Sequence, residues 1–237
     1  MTLPPSAALA QAGAVSTEAD KAAEAGALRT ACNALDLNAS RQQIEAMQAY
    51  LELLQRWNRT YNLTAVRDRA GMRIQHVVDC LAAVASLERN ALGSRPLRIL
   101  DVGSGGGLPG LLIALFRATS AVTCIDAVAK KAAFIRQVAG HLDLPNLRAE
   151  HGRVENLRAL PFDLITARAF ASLAELVRLT RSLLAEDGAW MAMKGQAPDT
   201  EVAQLPADID VFHVEPLSVP GLDAHRCLVW MRRRRDT

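Results

Sequence analysis

The sequence predicts an α/β fold, a mostly parallel sheet covered by helices on both faces, with a helical extension in front of it. Two observations carry this prediction. From Leu97 onward, short apolar runs alternate with helical segments, as right-handed crossovers between parallel strands require. The first of these runs leads straight into a glycine-rich loop, Asp101-Val-Gly-Ser-Gly-Gly-Gly-Leu-Pro-Gly110.

Each element follows from local chemistry. Residues 1–38 are rich in Ala, with scattered Pro, Gly and polar residues. Their start, through about Val15, is expected to be disordered, with a weak helix from Thr17 to Leu35. Ser40-Arg-Gln-Gln43 fits a capping box, in which Ser and Gln satisfy free helix-terminal N–H groups. Ile44, Met47, Leu51 and Leu54 then recur at helical spacing. A second helical stretch, Met72 to Leu87, places Ile74, Val77, Val78 and Leu81 on one side. Asn90 to Pro96 breaks it and marks a boundary. The expected organisation is an extension (1–38), a helical cap (39–92) and a sheet domain (93–237).

Within the sheet domain, Leu97–Val102, Ala121–Ile125, Leu147–Glu150, Phe162–Ala167 and Ala189–Met193 read as buried strands. Helices are expected near Pro109–Arg117, Ala129–Leu142 and Ser172–Leu184. Two further runs, Ile209–Glu215 and Arg226–Met231, have no helix between them. Pro216, Pro220 and Gly221 mark turns there, so the pair reads as a hairpin closing the sheet edge.

With 237 residues, 50% hydrophobic and 22% charged, the chain suits a soluble globular protein with a real core. A net charge of +2 says little about partners. The basic residues are mostly Arg, whose planar fork matches phosphate, although codon bias explains this equally well. Cys32, Cys80, Cys124 and Cys227 are scattered without a C-x-x-C pair, and Cys124 reads as core. No apolar run approaches the ~18 residues of a membrane span. The N-terminus carries Glu18, Asp20 and Glu24 and does not resemble a signal peptide. A reducing, cytoplasmic setting is the expectation.

The glycine loop follows a strand, where ligands of such sheets bind. A dinucleotide fingerprint fits Gly105, Gly107 and Gly110 poorly, because Asp101-Val-Gly-Ser intervenes between strand and first glycine. A carboxylate beside the loop would also repel pyrophosphate. It suits a cationic ligand, and S-adenosylmethionine carries a sulfonium and an ammonium. Acid-x-Gly-x-Gly-x-Gly at a strand end resembles the first motif of the Rossmann-like class I S-adenosylmethionine-dependent methyltransferases. Asp126 ends the second strand about 20 residues on, where an acid grips ribose hydroxyls. An adenine amino-methylase turn after the fourth strand is absent, and no cysteine stands there as a nucleophile.

Trp57-Asn-Arg-Thr-Tyr-Asn-Leu-Thr64, His76-Val-Val-Asp79, the loop, Arg153-Val-Glu155, Arg168-Ala-Phe-Ala-Ser-Leu173 and Lys194-Gly-Gln196 occur in this order. Together they resemble the bacterial small-subunit ribosomal RNA methyltransferase G family, over roughly residues 40 to 232. Gln75 and Cys80 stand where that family leads one to expect Arg and Ser. The resemblance implies methylation of guanine N7 in 16S ribosomal RNA; free RNA, a partly assembled subunit and the finished small subunit all stay open as the substrate, and a monomer is expected. It implies cofactor contacts at Gly103, Leu108, Val154, Glu155 and Arg168. The loop reading adds Asp101, Ser104, Gly105, Gly107 and Asp126. Guanine N7 has no proton to lose, so no general base is assigned, and Arg168 is expected to position cofactor or guanine.

Arg56, Arg59, Arg67, Arg69 and Arg73 concentrate charge between cap and sheet domain, with Lys130, Lys131 and Arg136 extending it. These are the expected RNA contacts, while Trp57 and Tyr61 are expected in the core. The Arg232–Arg235 tail is expected to add non-specific attraction. His76 and Asp79 are expected to tie their helix to the next domain rather than hold a metal. A small-molecule methyltransferase on the same fold is the alternative, followed by an NAD-linked dehydrogenase and a non-catalytic binding module.

Overall fold

The structure, a computed structural model, describes residues 17–90, 92, 95–195 and 198–234. The expected disorder through Val15, as well as Gln196 and Arg235, lies outside them. Helix α1 (Glu18–Ala34) starts on a capping box, Thr17 Oγ1 accepting from Asp20 N–H at 3.1 Å and Asp20 accepting from Thr17 N–H at 3.0 Å. Helix α2 (Arg41–Tyr61) starts on the Ser40/Gln43 box, with Ser40 N–H to Gln43 Oε1 at 2.8 Å. Such a cap contributes about 1 kcal/mol. Its apolar stripe, Ile44, Met47, Leu51 and Leu54, is buried as the spacing requires, and Tyr50 is buried with it.

The helix expected over 72–87 is longer and not uniform. α3 (Arg69–Met72) passes into a π-helical turn over Arg73–Val78 and then into α4 (Asp79–Arg89). A π turn holds an extra residue and shifts every following side chain around the axis. A pattern read at 3.6 residues per turn cannot register it.

The strands are β1 (Arg98–Val102), β2 (Ala121–Asp126), β3 (Leu147–His151), β4 (Phe162–Arg168), β5 (Leu184–Lys194), β6 (Ile209–Pro216) and β7 (Cys227–Arg233). They form one sheet in the order β3-β2-β1-β4-β5-β7-β6. β1 to β5 pair in parallel, while β7 runs antiparallel between β5 and β6. The hairpin thus sends its second strand inward, because Cys227–Met231 is buried throughout, and leaves β6 at the edge. Helices α5 (Gly110–Phe116), α6 (Ala129–His141), α7 (Leu173–Thr180) and the short α8 (Asp199–Val202) complete the fold. No helix among the described residues is long and apolar enough to cross a membrane.

Alternation along the strands sorts the core by sheet face. Ile99, Leu164 and Met191 join one cluster with Tyr50, Leu54, Leu81, Ile113 and Phe134, so the cap helices and the sheet share a core. Leu100, Ile165 and Trp190 face the other cluster with Leu176 and Val177 of α7. Buried Trp190 donates Nε1–H to Thr180 Oγ1 at 2.9 Å.

The cap has its own polar brace. Arg69 donates Nε–H and Nη2–H to the two oxygens of Glu24 at 2.7 and 2.6 Å, joining α3 to α1. Glu24 is 7% exposed. Arg69, expected at the RNA surface, is therefore committed to a largely buried ion pair. Glu24→Ala should cost roughly 2–4 kcal/mol by urea unfolding, because it strands the guanidinium. Glu24→Ala with Arg69→Met should cost less than Glu24→Ala alone, and an equal or greater loss would contradict this role.

Candidate active site

The site lies beyond the carboxyl ends of β1, β2 and β4. Gly103 turns the chain at φ +66° and donates its N–H to the Ile125 carbonyl at 2.9 Å. A Cβ there would meet the Phe170 ring at 2.8 Å, so the loop passes too close to the Arg168-to-Leu173 segment for a side chain. Buried Ser104 donates its hydroxyl to the Asp101 carbonyl at 2.7 Å. Gly105 donates N–H to Asp126 Oδ2 at 2.9 Å, and Val128 N–H donates to Asp126 Oδ1 at 2.8 Å. Tyr50, from α2, donates its hydroxyl to the Gly106 carbonyl at 3.0 Å. The cap thus props the loop from behind.

Asp101 does not do what its position in the sequence suggests. It is fully buried, and Oδ2 accepts from Gly110 N–H at 2.9 Å at the start of α5. The Cys124 thiol lies 3.8 Å from the same oxygen. Burial pushes the Asp101 carboxyl up to about 6, against the lowering effect of the Gly110 N–H and of Arg168. The carboxyl lines neither cavity beside the loop. The expected direct contact with a cationic ligand gives way to a brace inside the loop. Gly107 likewise packs on Ile135 of α6, which a Cβ would meet at 3.2 Å, and lines neither of these cavities.

Two cavities flank the loop and share Gly103 and Lys131 in their walls. The larger, ≈ 420 Å³, is lined by Asp126, Gly152, Arg153, Val154, Glu155, Phe170 and Glu175. Val154 and Glu155 come from a single 3₁₀ turn after β3. The smaller, ≈ 220 Å³, is lined by Tyr50, Thr64, His76, Gly103 to Gly106, Leu108 and Arg168. The structure therefore brings together Gly103, Ser104, Gly105, Leu108, Asp126, Val154, Glu155 and Arg168, all named from the sequence. It adds Tyr50, Thr64, Gly106 and Phe170. Tyr50 carries no signal beyond its place in an apolar stripe.

Arg168 ends β4, and its Nη1 donates to the Gln75 carbonyl at 3.0 Å and lies 3.4 Å from Asp79 Oδ2. Asp79 Oδ1 also accepts from Arg226 Nε at 2.9 Å. Asp79 thus ties its helix to β4 and β7, as expected of it. His76 does not join it, but pairs Nε2 with the Thr64 hydroxyl at 2.7 Å. Burial, followed by the Arg168 charge, lowers His76 to about 4, so its ring is neutral at neutral pH.

The basic residues divide. Arg56, Arg59, Arg67, Lys130 and Arg136 are exposed and Arg73 is half-buried. Lys130 donates to the Tyr61 carbonyl at 2.7 Å, and Arg136 to the Ala149 carbonyl at 3.0 Å. Lys131, expected among the RNA contacts, instead lies 3.8 Å from Asp126 and lines both cavities. Trp57 packs on Phe134 and donates to Gln137, whereas Tyr61, expected in the core, is 42% exposed. Arg232 and Arg233 are not a free tail. They lie in β7, where Arg232 pairs with Asp210 and Arg233 donates to the Leu184 carbonyl at 3.1 Å.

A family model described as rRNA small subunit methyltransferase G matches residues 43–229. A ribosomal RNA small subunit methyltransferase G of Leptothrix cholodnii is 61% identical over 87% of this chain and 94% of its own length. One from Methylibium petroleiphilum is 53% identical over 91% of this chain and 97% of its own. Among solved structures, a SAM-dependent methyltransferase from Aquifex aeolicus aligns with a TM-score of 0.52 at 16% identity, over 72% of this chain and 96% of the other. TrmN from Thermus thermophilus aligns with a TM-score of 0.51 at 24% identity, over 65% and 48%. These structural likenesses concern the fold, which is the Rossmann-like class I methyltransferase fold.

The buried carboxyl gives a pH test. Its folded value, about 6, lies above the ordinary 3.8, so the folded chain holds this proton more tightly than the unfolded one. Its contribution to stability is full below pH ~4 and is lost as pH rises to ~6, by on the order of 2–3 kcal/mol. Asp101→Asn keeps an acceptor for Gly110 but no charge. The variant's stability relative to the parent should therefore rise between pH 4 and 6. His76, whose value is lowered, contributes the opposite slope in both proteins and cancels in the difference. A difference that stays flat with pH would refute the assignment.

Proposed function

Because the chain belongs to the rRNA small subunit methyltransferase G family, we propose that it methylates N7 of a guanine in 16S ribosomal RNA. S-adenosylmethionine is the methyl donor. The observation that carries the choice of atom is the chemistry of the smaller cavity. Its polar side chains are Tyr50, Thr64, Ser104, His76, Lys131 and Arg168, with no carboxylate among them. His76 is a weak base already engaged by Thr64. Such a wall suits an acceptor that brings its own lone pair and has no proton to remove.

The residues present fit the donor. Asp126, Glu155 and Glu175 outnumber Lys131 and Arg153 in the larger cavity, which leaves it a net acidic lining suited to hydroxyls and to a cation. Asp126 accepts two backbone N–H bonds, and its carboxylate has further lone pairs for ribose hydroxyls. In this reading the nucleoside lies against Asp126, Val154 and Glu155, with Gly103, Ser104, Gly105 and Leu108 along the chain leading to the methyl end. When bound, S-adenosylmethionine supplies an electrophilic methyl on sulfur. The guanine N7 would take that methyl through its own lone pair, leaving the bonding electrons on sulfur and no proton for the protein to remove. The protein's task is alignment and exclusion of water. Arg168 serves that task by holding cofactor or guanine oxygen atoms, since among the described residues its hydrogen bonds run through Nη1 alone.

Arg56, Arg59, Arg67, Arg73, Lys130 and Arg136 are the RNA-facing set in this reading, on or beside the cap (39–92) and α6. The substrate is 16S RNA, free or within an assembling or finished small subunit, and the chain acts as a monomer.

Nucleoside mass spectrometry of 16S RNA from cells lacking this chain should show one N7-methylguanosine lost. Retention of every such site would refute the proposal. Arg168→Ala should lower single-turnover methyl transfer by about 100-fold, and unchanged turnover with unchanged cofactor affinity would remove it from the site. Arg56→Glu should weaken RNA binding and flatten its salt dependence by about one counterion. Unaltered salt dependence would take α2 out of the RNA surface.

A further inference from the structure

We propose that Asp79 is the positioning residue for Arg168, and that the π turn before it supplies the second anchor, the Gln75 carbonyl. This rests on the reading of Arg168 as a contact to cofactor or guanine. Arg168 stands at a strand end beside a cavity, on a long side chain that would otherwise sample several rotamers. Two acceptors from one helix fix its Nη1, at 3.0 Å to the Gln75 carbonyl and 3.4 Å to Asp79 Oδ2.

The backbone explains how both acceptors come to face the same nitrogen. In a regular α-helix the Asp79 N–H would bond the Gln75 carbonyl, four residues back. Here it bonds the carbonyls of Ile74 and His76 instead. The Gln75 carbonyl thereby loses the Asp79 N–H and accepts from Arg168. A π turn inserted at a ligand site is a recognised device for re-aiming a carbonyl and the side chains after it.

Asp79 is placed for this task at a cost. Its side chain is 4% exposed and takes part in a cluster of two guanidinium groups and one carboxylate. Arg226, entering β7, accounts for one of the two cations. Arg168 keeps its remaining N–H groups and the cluster keeps a net positive charge beside the smaller cavity. A simple brace between helix and sheet would need only one cation. The cap thus sets the orientation of a site residue that belongs to the sheet.

The test is a double-mutant cycle in the full chain. Single-turnover transfer from radiolabelled S-adenosylmethionine to small subunits lacking the modification is measured, with cofactor affinity by calorimetry and Tm for the fold. Asp79→Asn should lower turnover by about 10- to 100-fold, and Asp79→Glu should recover part of it. In an Arg168→Ala background, Asp79→Asn should change turnover less than twofold while still lowering Tm. An equal factor in both backgrounds, or full turnover in Asp79→Asn, overturns the inference. Should Asp79→Asn fail to fold, Asp79→Glu takes its place in the same cycle: its smaller loss of turnover should vanish in the Arg168→Ala background, and an equal loss in both backgrounds overturns the inference. If Arg168→Ala is itself silent, the reading of Arg168 falls and this inference falls with it. If Arg168→Ala is inactive and the two effects multiply, only the inference falls.

Discussion

A single buried carboxylate closes the glycine loop. Asp101, at the end of β1, accepts the N–H of Gly110, where α5 begins. The intervening residues are thereby held as a tight arch between strand and helix. Gly110 has no room for a side chain, since a Cβ would lie 2.6 Å from Cys124 Sγ and 2.9 Å from the Asp101 carboxyl. The arch then delivers Gly103 to Ile125 and Gly105 to Asp126. Both cavities take their shape from it. The carboxyl that a reader of the sequence would aim at the ligand is spent on making the loop.

The cap is part of the site rather than an appendage. α2 props the loop through Tyr50, and the helix from Arg69 to Arg89 contributes His76 and anchors Arg168. The Thr64 segment closes the same cavity, itself held by buried Asn58, which accepts the Thr64 N–H at 2.8 Å and donates to the Val66 carbonyl at 3.1 Å. Motion of the cap relative to the sheet would therefore alter the smaller cavity before the larger one. That arrangement suits a division in which one cavity faces the nucleoside and the other faces the reacting atoms.

Electrostatics follow the same division. The larger cavity sets Asp126, Glu155 and Glu175 against Lys131 and Arg153, while the smaller carries Lys131 and Arg168 without a carboxylate. Outside, Arg56, Arg59, Arg67, Lys130 and Arg136 are exposed around the cap and α6. Arginine count alone was a poor guide to this surface. Arg69, Arg117 and Arg226 are all spent on internal carboxylates or carbonyls.

The sequence by itself determined the layers, the alternation of strands and helices, the Ser40 capping box, the glycine loop and the residues that line it from β2, β3 and β4. These are local or periodic features, decided by neighbours within a turn or a strand. The early start of β5 at Leu184, where a helix was expected, is not among them. The tertiary structure alone decided the direction of Asp101, the partner of Arg69 and the place of Lys131. The Arg69–Glu24 pair joins residues 45 positions apart, and Arg168 meets Gln75 across 93. No spacing rule reaches so far, because such contacts depend on how whole elements pack. The π turn belongs with them. Its extra residue leaves no mark in composition, yet it turns the Asp79 N–H away from the Gln75 carbonyl that Arg168 meets.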